Sequence, residues 1–216
     1  MSRIKKIFKL LITIVKEIVF VVVGILIALA INNWIDNINV LQKELSILNE
    51  LKNDLNHNIK NTKSGIDINA RTQKSCKVIL EFFEKKLSHS ETLATYFSNF
   101  YYFWNPDFAY GSYENLKIKG VDFITNSKLK SEIVDMFEIK LEILDKEIFN
   151  RDNRFYSAIT LPTVLKYFYK DWNNSKTKSI SKPSNYSKMM KDSIFYAMCI
   201  SLYQSKKFTI INTKNL

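Results

Sequence analysis

The hydrophobic pattern is densest near the N-terminus. Residues 18–31 read IVFVVVGILIALAI, fourteen positions without a charge. Alone, that run is shorter than the roughly 20 residues a membrane-spanning helix needs. Its flanks supply the rest. Lys16 can extend its stem along the apolar surface and keep its ammonium in water, with Glu17 beside it. Asn32, Asn33 and Trp34 suit the opposite headgroup level, where Trp is favoured. The stretch 17–34, about 27 Å long at helical rise, is the predicted span, and those five residues are its boundaries.

Before it, Ile4, Ile7, Phe8, Leu11, Ile12 and Val15 share one helical face, with Lys5, Lys6, Lys9 and Lys16 off it. This predicts a basic amphipathic segment over 1–16 lying on the membrane surface. A single tilted span starting near Ile7 is the alternative.

After the span, Ile31, Trp34, Ile38, Leu41, Leu45, Leu48, Leu55 and Ile59 keep an alternating 3–4 spacing, broken at Lys52. The expectation is a helical stalk over 35–64, continuous with the span and ending at Ser64-Gly65. Gly24 and Ala28 add a small-residue step inside the membrane that would let helices approach closely. Gly24, Ala28, Ile31, Ile38, Leu41, Leu45 and Leu48 are therefore the candidate helix–helix contacts. They would pack within the chain or against a second copy.

The remainder, 65–216, keeps helical periodicity. Helices are expected over 70–87, 91–104 and 113–119, then a long one after an Asn126 or Ser127 cap. A segment from Pro162 to about residue 172 follows, then a basic loop over 173–187 and a final helix over 189–204. Four glycines and three prolines are too few for the tight turns of a many-stranded sheet. The predicted fold class is all-α: one N-terminal transmembrane helix continuing into a long helix, with an external helical bundle.

Charge adds orientation. The net charge is +11, concentrated at the two ends. Arg3, Lys5, Lys6, Lys9 and Lys16 precede the span, whereas Asp36, Glu44, Glu50 and Asp54 outnumber two lysines after it. The positive-inside bias places the N-terminus in the cytoplasm and the domain outside, in the periplasm of a bacterium with two membranes. A rival reading takes Ala28-Leu29-Ala30 as a signal-peptidase site that would release a domain starting at Ile31. The helical pattern running through that site favours retention. Cys76 and Cys199 are too few for a disulfide framework; free buried thiols and one long-range bridge both remain open.

Two blocks carry a family resemblance. The first is Glu17-Ile18-Val19 through Gly24-Ile25-Leu26-Ile27-Ala28-Leu29 to Ile31-Asn32-Asn33-Trp34. The second is Tyr113-Glu114-Asn115-Leu116, then Gly120, then Phe123-Ile124-Thr125-Asn126-Ser127-Lys128-Leu129. Together they resemble a family of uncharacterised Bacteroidota single-pass membrane proteins defined by a domain of unknown function, over nearly the whole chain. Ala30 departs from the Gln usual in that family, and the N-terminal extension is short. The resemblance implies a retained anchor and supplies no activity.

Chemistry is sparse. The isolated glycines exclude a phosphate-cradling loop and a dinucleotide fingerprint. His57 and His89 have no Cys or His at ligand spacing. No catalytic, metal-binding or cofactor-binding residue is expected, and no cofactor. The aromatic run over 96–113 is the most unusual stretch: it reads either as core or as a partner or ligand surface, with Tyr101, Tyr102, Trp104, Tyr110 and Tyr113 as candidates. The basic C-terminal region lacks a groove-reading motif, so nucleic acid is not an expected partner; the bilayer, a second copy and a membrane protein are. The sequence points to a non-enzymatic, membrane-anchored envelope protein. A ligand-sensing module is the alternative, and a periplasmic enzyme a weaker one.

Overall fold

The computed structural model describes the backbone of residues 2–170 and 181–214, with side chains from Lys16 onward except at position 147. The amphipathic face expected over 1–15, and residues 173–180 of the basic loop, lie outside the described side chains. The chain forms two compact units, one up to Glu50 and one from Leu51.

A single helix, α1 (Ser2–Glu84), takes up 83 residues. Its backbone is uninterrupted at Lys16 and again at Gly65, where a helix end was expected. Gly65 is buried inside the helix, and a Cβ there would collide with the Trp104 indole. This glycine permits a close approach instead of ending a helix.

In the second unit, α2 (Leu93–Asn99) is shorter than expected. The helix α3 (Gly111–Lys119) closes on Gly120, which adopts φ +94°, a backbone region that favours glycine. A 3-10 turn, Val121–Phe123, leads to Asn126, whose side chain accepts a hydrogen bond from the Leu129 amide at 3.0 Å. That cap starts α4 (Ser127–Val134). Helical backbone then runs unbroken to Tyr167 through a π-helical stretch Asp135–Lys140, a second at Ile143–Phe149, α5 (Asn150–Phe155), a third at Tyr156–Thr160, and α6 (Leu161–Tyr167).

Two expectations fail beyond this point. Phe168–Lys170, in the segment expected to run to about residue 172, and Ser181–Pro183, in the expected basic loop, are the strands β1 and β2, paired antiparallel with Phe168 opposite Pro183. Pro183 lacks an amide proton, and a two-stranded ribbon consists only of edges, where proline is tolerated. Within the expected basic loop, Asn185 caps a further short helix, α7 (Tyr186–Met189). The final helix, α8 (Ser193–Lys214), starts later and runs ten residues past Gln204. The Asp192 carboxylate caps it by accepting from the Ile194 and Phe195 amides. Despite the ribbon, the architecture is all-α.

The main core gathers Cys76 and Ile79 of α1, Leu93, Phe97 and Phe100, Val164 and Tyr167, and Phe195, Met198, Cys199 and Leu202 of α8. A smaller cluster places Trp104 with Leu144 and Ile148, against Ile68 and Phe108.

Candidate functional site

The apolar run that predicts the span is exposed throughout its length. Phe20 is 78% exposed and Trp34 66%, and Ile18, Ile25, Leu26, Ile27 and Ile31 are each about half exposed. All five boundary residues, Lys16, Glu17, Asn32, Asn33 and Trp34, are likewise exposed. A soluble core helix would bury such a face. Among the described residues one helix is long and apolar enough to cross a membrane, and it lies near the N-terminus.

The candidate contact residues divide. Gly24, Ala28, Ile31, Leu41 and Leu45 are exposed, while Ile38 and Leu48 are half-buried. Among the described residues of the first unit the buried positions are Glu44 and Ile47, off the expected seam. An apolar ridge predicts burial only where something occupies that face. The Leu41–Leu45 step therefore stays open, at 53% and 59% exposure.

The aromatic run is core more than surface. Tyr101, Trp104 and Tyr113 are buried, Tyr110 is half-buried, and only Tyr102 is exposed. Tyr101 packs in the main core, and its hydroxyl shares a 3.0 Å hydrogen bond with Ser181. Tyr113 stacks on Phe137 with ring centroids 4.8 Å apart. These five side chains do not form one exposed patch. The rings are consumed by packing because the 100–113 segment must cover the α1 face beneath it.

That α1 face went unrecognised in the sequence. Asp54, Asn58, Asn61 and Gly65 recur at helical spacing and face the incoming segment. The Asn61 amide oxygen accepts from Trp104 Nε1 at 3.2 Å and from the Asp107 amide at 3.3 Å. The Asn58 amide donates to the Ala109 carbonyl and accepts from its amide. Asp54 Oδ2 accepts from both the amide and the hydroxyl of Ser112. Polar side chains thus supply the backbone partners that a segment without regular structure cannot supply itself.

A second feature was also missed. Asp152 and Lys206 are buried and paired at 2.6 Å, joining α5 to α8. Ser205 donates to Asp152 Oδ1 at 2.8 Å, and Arg151 also reaches that carboxylate, at 3.1 Å. Burial pushes the carboxyl upward, but Lys206, with Ser205 and Arg151, outweighs it and holds Asp152 below its ordinary value. Arg151 lies 4.9 Å from the Phe208 ring centroid, which continues the network to the surface. A lone acid and a lone lysine 54 positions apart give no sequence signal.

Cys76 and Cys199 are free and buried in the main core. Burial pushes the Cys76 thiol up to about 12 and raises Cys199 well above the ordinary thiol range. Neither is poised as a nucleophile. Among the described residues no group of three or more His, Cys, Asp or Glu could hold a metal ion.

Fold and exposed helix together define an all-α protein carrying one helix of membrane-spanning length and composition. Residues 17–99 match the model of a family of unknown function (DUF6090). The match begins at Glu17, the expected span boundary, and stops before the second resemblance block at Tyr113, so it is narrower than the near-complete resemblance expected. No curated protein and no solved structure matches the chain.

Proposed function

We infer that the protein is a single-pass membrane protein of a bacterial envelope, with its N-terminus in the cytoplasm and its helical domain in the periplasm, whose work is assembly and not catalysis. One observation carries this reading. Apolar exposure does not stop with the run that lipid would cover: Leu41 and Leu45, past the far boundary, remain open to water. A second copy is the occupant we favour. Two chains anchored by the same span enter the membrane in the same register, so their Leu41 and Leu45 steps meet without further adjustment. Gly24 supports the same arrangement, since nothing lies within 4 Å of a Cβ placed there. The Bacteroidota assignment belongs to this proposal and is supported by the first resemblance block lying inside the matched segment.

Ligand sensing through the aromatic run loses its main support, because three of the five aromatic side chains are buried. The enzyme reading gains none from the Asp152–Lys206 pair, which is enclosed.

Cysteine crosslinking in membranes tests assembly. Leu41→Cys and Leu45→Cys, with Cys76 and Cys199 left buried, should give disulfide-linked dimers under mild oxidation, and Lys43→Cys should give few. Gly24→Leu should weaken the crosslink. Equal yields at all three positions would sink the self-association reading. For orientation, Lys128→Cys should react with a membrane-impermeant maleimide in cells whose outer membrane alone is permeable. Labelling that requires rupture of the inner membrane would reverse the topology.

A further inference from the structure

Away from the apolar ridge, a groove of about 390 Å³ lies between α1 and α2 in the second unit. Arg71 and Lys74 form its α1 wall, three residues apart on one helical face. Thr92, Thr95, Tyr96 and Asn99 form the other wall, with Ser75 buried at the base. No carboxylate lines it, although acids are common elsewhere on the domain. A cationic ligand would meet two like charges there and no counter-charge.

The hydrogen bonds already made show which groups remain available. Ser75 donates to the Arg71 carbonyl at 2.8 Å, and Asn99 to the Thr95 carbonyl at 2.8 Å. Thr92 shares its hydroxyl with Ser90. Arg71 spends only Nε, on the Asp67 carbonyl at 3.3 Å. Its two terminal nitrogens, the Lys74 ammonium and the Thr95 and Tyr96 hydroxyls have no protein partner among the described residues. Among the described residues neither cation has an ion pair, whereas Lys77 on the next turn is paired with Glu81.

We propose that this groove binds a phosphate-type oxyanion, held by Arg71 and Lys74 and hydrogen-bonded by Thr95 and Tyr96. Arg offers planar, paired donors that match two oxygens of one phosphate, and Lys adds a compact point charge. Two cations match a phosphate monoester, which carries close to two negative charges at neutral pH. The volume accommodates a phosphate with a small organic group. Every lining residue falls within 71–99, inside the segment that matches the family model. A free phosphate ester and a phosphate headgroup share this chemistry.

The test uses the full chain in nanodiscs of neutral lipid, titrated with inorganic phosphate and with glycerol phosphate by calorimetry. Saturable binding should weaken about tenfold in an R71A/K74A variant. It should be unchanged in K60A/K63A, which removes the same charge from the same helix. The T95V/Y96F variant should weaken it with all charges intact. A parallel series uses nanodiscs containing phosphatidylglycerol, read by protection of a fluorophore attached at Ser90→Cys. Binding of soluble phosphate assigns a free ester; protection only on phosphatidylglycerol, lost in R71A/K74A, assigns a headgroup. No saturation in either series, or equal losses in the two lysine-containing double variants, overturns the proposal. Unchanged helical circular dichroism confirms that each variant is folded.

Discussion

Asn58 on α1 and Ala109 exchange two hydrogen bonds, at 2.7 Å and 3.0 Å, between one side-chain amide and the backbone N–H and C=O of one residue. The amide does for Ala109 what a neighbouring strand does in a sheet. Asn58→Ala strands both backbone groups and should cost about 1–3 kcal/mol. Chemical unfolding in detergent measures the loss, and hydrogen exchange at the Ala109 amide should accelerate selectively. Asn58→Asp retains the acceptor but turns a buried carboxylate oxygen toward the Ala109 carbonyl, so it should cost at least as much.

Gly65→Ala gives opposite signs under two descriptions. On an open helix, replacing glycine by alanine stabilises by about 1 kcal/mol. Here the added methyl meets the Trp104 ring. The expected outcome is destabilisation by about 1–3 kcal/mol. Gly24→Ala, where nothing lies within 4 Å, is the comparison and should not destabilise. A stabilised Gly65→Ala protein would mean that Trp104 does not sit against α1.

The Asp152–Lys206 pair predicts a cycle of variants. Asp152→Asn leaves a buried ammonium without its counter-charge and should cost about 3–5 kcal/mol. Lys206→Met in the same background should recover much of that loss. Both single variants and the double, compared by denaturant titration, give the coupling directly.

The same carboxylate predicts a pH dependence. Its value is lowered on folding, so its contribution is complete above the ordinary unfolded value of about 3.9 and disappears as pH falls through the lower folded value. Unfolding free energy followed below about pH 4 should fall more steeply in the parent than in Asp152→Asn/Lys206→Met. Parallel slopes would remove Asp152 from the explanation.

Cys76 and Cys199 should resist thiol reagents in the folded protein. With the Cys76 value near 12, about one thiol in ten thousand is thiolate at pH 8. Both should react promptly once denaturant is added. Rapid labelling under native conditions would show that the α1–α8 core opens far more often than its packing implies.

What was legible in the sequence is what hydrophobicity marks. The long apolar helix near the N-terminus, the all-α class and the Asn126 cap each have a local cause visible in a few residues. The inward face of α1 was not legible. From Leu51 it runs through Asp54, Asn58, Asn61, Gly65, Asn69, Thr72 and Cys76 to Ile79, at regular helical spacing. Its middle is polar because it binds backbone groups of another segment, so a search for apolar stripes settles on the neighbouring face. The β1–β2 ribbon was hidden for a related reason: Phe168 and Tyr169 extend the apolar pattern of α6, and only pairing with Ser181–Pro183 distinguishes strand from helix. The oxyanion groove joins residues from two helices, and neither half is distinctive alone.

The three π-helical stretches between Ser127 and Tyr167 carry a consequence for comparing this chain with its relatives. A π turn is a helical turn holding an additional residue. Extra length in this region is therefore stored inside the rod, where no loop bulges to reveal it. A relative with one residue fewer here should have lost a π turn while keeping both ends in place. Alignments that confine gaps to loops would then shift every partner between the deletion and the β1–β2 ribbon by one position, and a deletion in either of the first two stretches would pair Asp152 with the wrong residue.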